Sequence, residues 1–199
     1  MATVTIAPME LEAFFDYTAE KNSLYELEDG EPIEMPLESE LNRRIATFLL
    51  VYFAQLGVAP HCLSLKTEVV VSGAGPTVQV PDLLVLSEVL AEVLAGATRS
   101  TVLPEMPPPR LVVEVVSPGK KNRDRDYRYK RSQYGARGIG EYWIVDPVEG
   151  CITVLIWVEG LYEEEVYGED AVIQSPFLQA LGATAGLPVR QVLTAGILP

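Results

Sequence analysis

Two acidic residues interrupt apolar stretches that have the composition of buried strands. Asp82 opens the run PDLLVL, and Glu114 lies in the middle of LVVEVV. An ionised carboxylate is costly to bury unless a cation or several hydrogen-bond donors meet it. If the two strands are neighbours, both carboxylates converge on one point, and two hard oxygen ligands with room for water suit Mg²⁺ or Mn²⁺. The pattern predicts a metal-assisted hydrolytic site.

Each acid also has a structural interpretation. An Asp after Pro often opens a turn or caps an element, so Asp82 is equally well explained without a metal. A lone Glu in an apolar strand can lie at a sheet edge and face water. Glu114 fits this interpretation less well, because Leu and Val flank it on both sides over residues 111–116. Such a run is typical of strands buried on both faces.

A basic segment follows Glu114. Residues 120–131 hold seven Lys and Arg side chains against two Asp, a balance of +5, whereas the whole chain carries −13 and its remainder therefore −18. This separation predicts a cationic patch on an acidic body, which suits phosphodiester chemistry at one place and opposes strong, sequence-blind binding of nucleic acid. A solvated helix face with i,i+4 ion pairs explains the same charges.

Length and composition favour one folded domain. The chain has 199 residues, of which 48% are hydrophobic, enough to bury a sizeable core. No apolar run approaches the ~18 residues of a membrane span. The first residues lack the basic and apolar parts of a signal peptide. We expect a cytoplasmic protein that does not contact membranes.

The cysteines and the single histidine predict no zinc chemistry. Cys62 and Cys151 are isolated in the sequence among apolar residues, as small core residues would be. We therefore expect neither a disulfide nor a zinc site. His61 lies beside Cys62 in a strand-like segment and is interpreted as structural. With one histidine, the usual zinc hydrolase sites are excluded.

The order of elements predicts an α/β or α+β domain with a central mixed sheet. Turn signals at Asp29-Gly30 and Glu159-Gly160 predict two hairpins. Ser39 is predicted to cap the N-terminus of a helix, and Gly57 is predicted to end it. The predicted helices span 8–20, 39–56, 87–94, 123–137 and a short stretch within 187–196, and the predicted strands include 62–71, those of Asp82 and Glu114, and 141–147.

Taken together, these pieces resemble the PD-(D/E)XK nuclease superfamily and, within it, the Uma-type family of restriction endonuclease-like proteins. The matching pieces are YELEDGE, SELNRRI, PDLLVL, LVVEVVSP, the series Asp126, Lys130 and Tyr134, and RGIGEYWIVDP. The resemblance implies one restriction-endonuclease-like domain over residues 1–199, with a central mixed sheet flanked by helices. Its N-terminal helix and hairpin would span 1–37, its nuclease-like core 38–157, and its C-terminal hairpin and helix 158–199.

The resemblance also implies a metal site. Asp82, Glu114 and the main-chain carbonyl of Val115 would bind Mg²⁺ or Mn²⁺, and Glu40 matches the place of an extra acidic ligand. Glu40 is explained equally well as an acid in the first turn of a helix.

The catalytic lysine of this superfamily usually lies two residues after the glutamate, where this chain has Val116. The resemblance makes Lys130, on the following helix, the displaced catalytic lysine. Arg123, Arg125 and Arg128 would grip phosphates, since Arg binds phosphate in a bidentate fork.

Three functions follow as alternatives. The first is a Mg²⁺-dependent endonuclease that acts on DNA, for which we expect a homodimer because cutting two strands often needs two sites. The second is a catalytically inactive nuclease-like module that binds a nucleic-acid or protein partner. The third treats the two carboxylates as a glycosidase acid/base pair, which the basic segment disfavours.

Overall fold

The computed structural model describes residues 8–197. The strands are β1 (Tyr25–Glu28), β2 (Glu31–Glu34), β3 (Leu63–Ser64), β4 (Glu68–Val71), β5 (Thr77–Gln79), β6 (Leu83–Val85), β7 (Thr101–Val102), β8 (Leu111–Val115), β9 (Glu141–Asp146), β10 (Cys151–Val158), β11 (Leu161–Gly168), β12 (Val172–Ile173) and β13 (Leu187–Pro188). The α-helices are α1 (Leu11–Thr18), α2 (Glu40–Gln55), α3 (Glu88–Leu94), α4 (Lys120–Asp124), α5 (Arg131–Ala136), α6 (Pro176–Ala180) and α7 (Val189–Leu193). No helix within 8–197 is long and apolar enough to cross a membrane.

Two of the three sheets within residues 8–197 organise these elements, and the third is the small pair β12-β13. The larger sheet has the strand order β11-β10-β9-β8-β6-β3, and the smaller has the order β2-β1-β5-β4-β7. In the larger sheet β8 pairs parallel with β9 and antiparallel with β6. The predicted central mixed sheet is confirmed, and a second sheet stands beside it.

Strand β8 lies inside the larger sheet, and every one of its residues is buried. Its continuous Leu and Val content is what a strand covered on both faces requires. On the neighbouring strand, Trp143 lies opposite Val113 and Tyr142 lies opposite Val112. Since side chains alternate across a strand, Trp143 and Tyr142 point to opposite faces of the sheet.

Helix α2 covers the face of Trp143, where Phe53 meets the Trp143 ring edge-on at 5.8 Å. The Ser39 side chain caps this helix by accepting from the backbone N–H of Asn42, as predicted. Ile45, Leu49 and Phe53 are buried at the expected helical spacing, and Gly57 follows the helix with φ +94°.

The basic segment covers the other face. Helix α4, a π-helical stretch (Arg125–Lys130) and α5 run on without a break, and we call residues 120–136 the basic helix. Tyr134 packs against Tyr142 with ring centroids 4.9 Å apart, and Gln133 accepts from the Gln79 side chain of β5 at 3.0 Å. The inner face of the basic helix therefore contacts both sheets, and the helix begins three residues before the predicted 123–137.

Two predicted elements need correction. The predicted strand 62–71 is divided into a 3₁₀ turn (Pro60–Cys62), β3 and β4, which belong to different sheets. The chain reverses at Lys66, whose φ is +63°. Apolar residues therefore alternate through 62–71 although two separate strands contain them. The first helix starts at Leu11, because the Met9 N–H bonds the Gly30 carbonyl at 2.8 Å and ties the preceding residues to the hairpin turn.

The Asp29-Gly30 turn generates a stability prediction. At Gly30 φ is +85°, and an added Cβ would lie 2.3 Å from Pro8 Cβ, whereas Gly57 has a similar φ and open space around it. Ala at either position costs about 1 kcal/mol of left-handed strain. Only Gly30→Ala adds an overpacking cost, about 1–3 kcal/mol. Urea unfolding should therefore show a larger loss for Gly30→Ala than for Gly57→Ala, and equal losses would contradict the close approach.

Candidate active site

Asp82 and Glu114 come together across two adjacent strands. The ladder pairs Leu83 with Val113, and the next step of this register places Asp82 opposite Glu114. Asp82 Oδ2 accepts a hydrogen bond from the Val115 backbone N–H at 2.6 Å. The structure thus brings the two predicted acids to one place.

Asp82 faces the more open side of this pair. It lines a cleft of about 830 Å³ together with Glu38, Arg43 and Lys66. Burial raises the pKa of Asp82 to about 6, against the lowering effects of the Val115 N–H and of Lys130. The carboxylate therefore ionises near neutral pH at the edge of a cleft that can admit a ligand.

Glu114 is buried, and protein donors hold one of its oxygens. Its Oε1 accepts from Lys130 Nζ at 2.7 Å and from the Tyr134 hydroxyl at 2.7 Å. Both contacts go to the same oxygen, which leaves Oε2 for a further ligand. Burial and the nearby acids, Asp82 first among them, raise the pKa of Glu114, and the ammonium of Lys130 opposes this shift.

Lys130 carries a positive charge into the centre of the protein. Its side chain is 0% exposed, and Nζ donates to Glu114 and to Glu26 Oε1 at 3.0 Å, with Asp126 Oδ1 3.9 Å away. Burial alone would lower the pKa of Lys130, but the three carboxylates, Glu114 first, outweigh it and leave the pKa raised. Lys130 is therefore a fixed cation at the predicted site.

Glu26 is the site residue that the sequence reasoning missed. It lies on β1 of the smaller sheet, is fully buried, and accepts from Lys130, from the Val80 backbone N–H at 3.2 Å and from Arg125 at 3.1 Å. Burial raises its pKa, but Lys130 and Arg125 reverse this and leave it lowered. The acid lies in the block YELEDGE, where it precedes the buried Leu27, but nothing local distinguished Glu26 from the other acids of the block.

The further metal ligands predicted from the resemblance have other partners. The Val115 carbonyl accepts from Asn42 Nδ2 at 3.0 Å, which leaves one lone pair. Glu40 is exposed and pairs with Arg43 and Arg44, and Arg43 chiefly lowers the pKa of Glu40 to about 2. Its placement matches the helix-end explanation, and the structure does not bring it to Asp82.

The three arginines predicted to grip phosphates differ in their surroundings. Arg128 is exposed. Arg123 is half-exposed and lies 3.3 Å from Glu149 and 3.6 Å from Asp146. Arg125 turns inward to Glu26 and is only 24% exposed. Of the three, Arg128 is the one that the structure leaves available at the surface.

The donor set and its charge fit a divalent cation. Four carboxylates, those of Glu26, Asp82, Glu114 and Asp126, surround the two cations Lys130 and Arg125. When all are ionised, the cluster carries two negative charges in excess, and Asp126 Oδ1 is buried without a hydrogen bond. Oxygen ligands of this kind suit Mg²⁺ or Mn²⁺. Within residues 8–197, however, no third His, Cys, Asp or Glu joins Asp82 and Glu114 in a compact ligand group, so main-chain and water oxygens would complete the shell.

The Glu26 ion pairs generate a prediction on stability. Glu26→Gln removes one partner of a buried charge cluster and should cost about 3 kcal/mol at pH 7. Because the folded pKa of Glu26 lies below its ordinary value of 4.5, the stabilisation is present above pH 4.5 and is lost as pH falls through the folded pKa. Urea unfolding should show a difference from wild type that shrinks in acid. The exposed Glu31, on the partner strand, supplies the control Glu31→Gln; a cost as small as that of the control would contradict this account.

Comparison with known proteins supports the fold described above. A solved structure of a protein from Anabaena variabilis ATCC 29413, described as a putative nuclease belonging to DUF820, superposes with a TM-score of 0.69. The match covers 96% of this chain and 100% of the other, at 16% sequence identity, so it shows the fold alone. No curated protein matches the sequence significantly.

The family comparison covers most of the molecule. Residues 11–190 match the family Uma2, whose description is "Putative restriction endonuclease". The matched range contains both sheets, the basic helix and the charge cluster around Lys130. The chain therefore belongs to the Uma2 family of restriction endonuclease-like proteins.

Proposed function

We propose that this protein is a metal-dependent endonuclease that hydrolyses phosphodiester bonds of DNA, with Asp82 and Glu114 as ligands of Mg²⁺ or Mn²⁺. The observation that carries the proposal is the meeting of Asp82, Glu114 and Lys130 in one charge cluster beside a cleft. A buried lysine between two glutamates is not needed for stability alone, since apolar residues often replace such clusters without loss. Family membership agrees with nuclease chemistry.

The residues of the site would have different roles in catalysis. A bound divalent ion supplies charge neutralisation at the phosphate and a more acidic water. The Val115 N–H fixes the orientation of Asp82, and the Tyr134 hydroxyl and Lys130 fix that of Glu114. Both carboxylates are thereby held in place before any ligand arrives, which lowers the cost of reorganisation.

Lys130 would replace the lysine that is absent at Val116. Two of its three N–H groups are engaged by Glu114 and Glu26. Because Nζ is fully buried, Lys130 acts through Glu114 in this arrangement, as a fixed positive charge that positions the carboxylate. The superfamily role of the lysine, as a charge beside the phosphate, follows if substrate binding opens the path to Nζ.

The exposed cations of the basic helix would hold the nucleic acid. Lys120, Lys121 and Arg128 are exposed. The two lysines and Arg125 line a pocket of about 600 Å³, which the acids Glu28, Asp29 and Asp124 also line. Phosphate contacts from such side chains give sequence-independent affinity. The homodimer expected for cutting two strands remains a prediction.

The alternative is a nuclease-like module that binds without cleaving. Three observations favour it. Arg123 and Arg125 are engaged by acids of the protein itself, and Lys130 is closed off from solvent. A chain that carries −18 outside residues 120–131 also repels DNA over most of its surface.

Cleavage of supercoiled plasmid and of single-stranded DNA with Mg²⁺ and with Mn²⁺ tests the proposal. We expect nicking by wild-type protein and a loss of at least ~100-fold in Asp82→Asn and Glu114→Gln, the scale seen when one preorganised charge or donor is removed. Lys130→Met should also lose cleavage.

The control is Glu40→Gln, which removes an acid that lies outside the cluster and should cleave as wild type does. Circular dichroism of each variant separates lost chemistry from lost folding. Folded wild-type protein that cleaves neither substrate with either metal would overturn the nuclease proposal and support the binding module.

A further inference from the structure

A second group of metal-binding side chains lies at the other end of β6. Asp82 immediately precedes this strand, whereas Glu88 follows it as the first residue of α3. Beside Glu88 lie His61 and Cys62 of the 3₁₀ turn. Asp82 and Glu114 do not belong to this group, and strand β6 lies between Asp82 and Glu88, so the group is separate from the cluster around Lys130.

The three side chains converge on one point. One ligand atom from each lies within 4.8 Å of the other two, and among residues 8–197 this is the one such group of three or more His, Cys, Asp and Glu side chains. His61 Nε2 lies 2.6 Å from Glu88 Oε2. Ligands of one tetrahedral ion at about 2.0–2.3 Å are themselves about 3.3–3.8 Å apart, so the 2.6 Å contact between His61 and Glu88 would widen by roughly 1 Å. The observed spacing therefore needs only an adjustment of side chains, in which the ion replaces the contact between His61 and Glu88.

The backbone on both sides of the group is fixed. The Leu86 N–H donates to the Cys62 carbonyl at 2.8 Å, and the Cys62 N–H donates to the Ala59 carbonyl at 2.9 Å. Strand β3 pairs with β6 directly between the two segments. The Cys62 side chain is 3% exposed, while His61 and Glu88 are largely open to solvent. The site is thus anchored by a buried sulfur and can be entered from outside.

The donor types select the class of metal. A thiolate, an imidazole and a carboxylate together suit a borderline cation such as Zn²⁺ and disfavour Mg²⁺, which prefers oxygen. Deprotonated Cys62 and Glu88 carry two negative charges, equal to the charge of the ion, and binding releases the thiol proton. Three protein ligands leave a fourth position for water or another ligand.

We propose that His61, Cys62 and Glu88 form a binding site for a divalent transition-metal cation of the zinc class. The isolated cysteines and the single histidine predicted no zinc site, and this proposal departs from that prediction. The third ligand comes from Glu88, twenty-six residues after Cys62, and only the folded chain brings it near. The ordinary explanation is a surface hydrogen bond between His61 and Glu88 beside a core cysteine.

Titration of the reduced, metal-free protein with Co²⁺ tests this proposal. Thiolate ligation gives a sulfur-to-cobalt charge-transfer absorption, which oxygen ligation by Asp82 and Glu114 does not. We expect this absorption to saturate at one Co²⁺ per chain and to disappear when Zn²⁺ is added. Cys62→Ser should abolish it, and Glu88→Gln should weaken Co²⁺ binding at least ~10-fold.

Cys151→Ser is the matched control, since it removes the other cysteine and should leave the absorption unchanged, as should Asp82→Asn. Glu88 is exposed, so Glu88→Gln tests the site without disturbing the core. No charge-transfer absorption in folded wild-type protein, or an absorption that survives Cys62→Ser, would overturn the proposal. Neither result depends on whether the protein cleaves DNA.

Discussion

The structure depends on one buried ammonium group. Lys130 Nζ lies between Glu114 of the larger sheet and Glu26 of the smaller sheet and links elements that no strand pairing connects. Removing water from three such charges costs several kcal/mol per ion, and only short, well-directed contacts offset this cost. The basic helix therefore has to sit at one depth and one rotation between the sheets, which also fixes Tyr134 against Glu114. The same contacts that offset this desolvation cost hold the carboxylates of Glu114 and Glu26 in fixed positions.

The charges of this cluster do not balance within the protein. Its acids outnumber its cations by two, and burial raises the pKa values of Asp82 and Glu114. At both carboxylates the effect of burial outweighs that of the nearby Lys130. In the proposed function, a divalent cation beside them would balance this excess of negative charge. Stability and the proposed activity thus rest on the same electrostatic imbalance.

Sequence reasoning found the parts of the site whose signals are local. Glu114 stood out because an acid interrupts a run of Val and Leu, and the Lys130 helix followed from its charges and length. The hairpins and α2 were predicted from turn and cap residues, because such residues determine the backbone conformation of the few residues next to them. The reasoning missed Glu26 and the inward turn of Arg125, because both depend on how the smaller sheet packs against the basic helix. It also missed the break at Lys66, where the apolar alternation continues across two sheets, and it could not place Glu88 beside Cys62.

The central claim is that Asp82 and Glu114 bind one divalent metal ion with the help of the Lys130 cluster. Isothermal titration calorimetry with Mg²⁺ tests it most directly, because Mg²⁺ avoids the sulfur and nitrogen donors of the second group. The account predicts one ion bound per chain in wild-type protein, loss of binding in Asp82→Asn, and unchanged binding in Glu40→Gln. Absence of Mg²⁺ binding in folded wild-type protein, or binding that persists in Asp82→Asn, would contradict it.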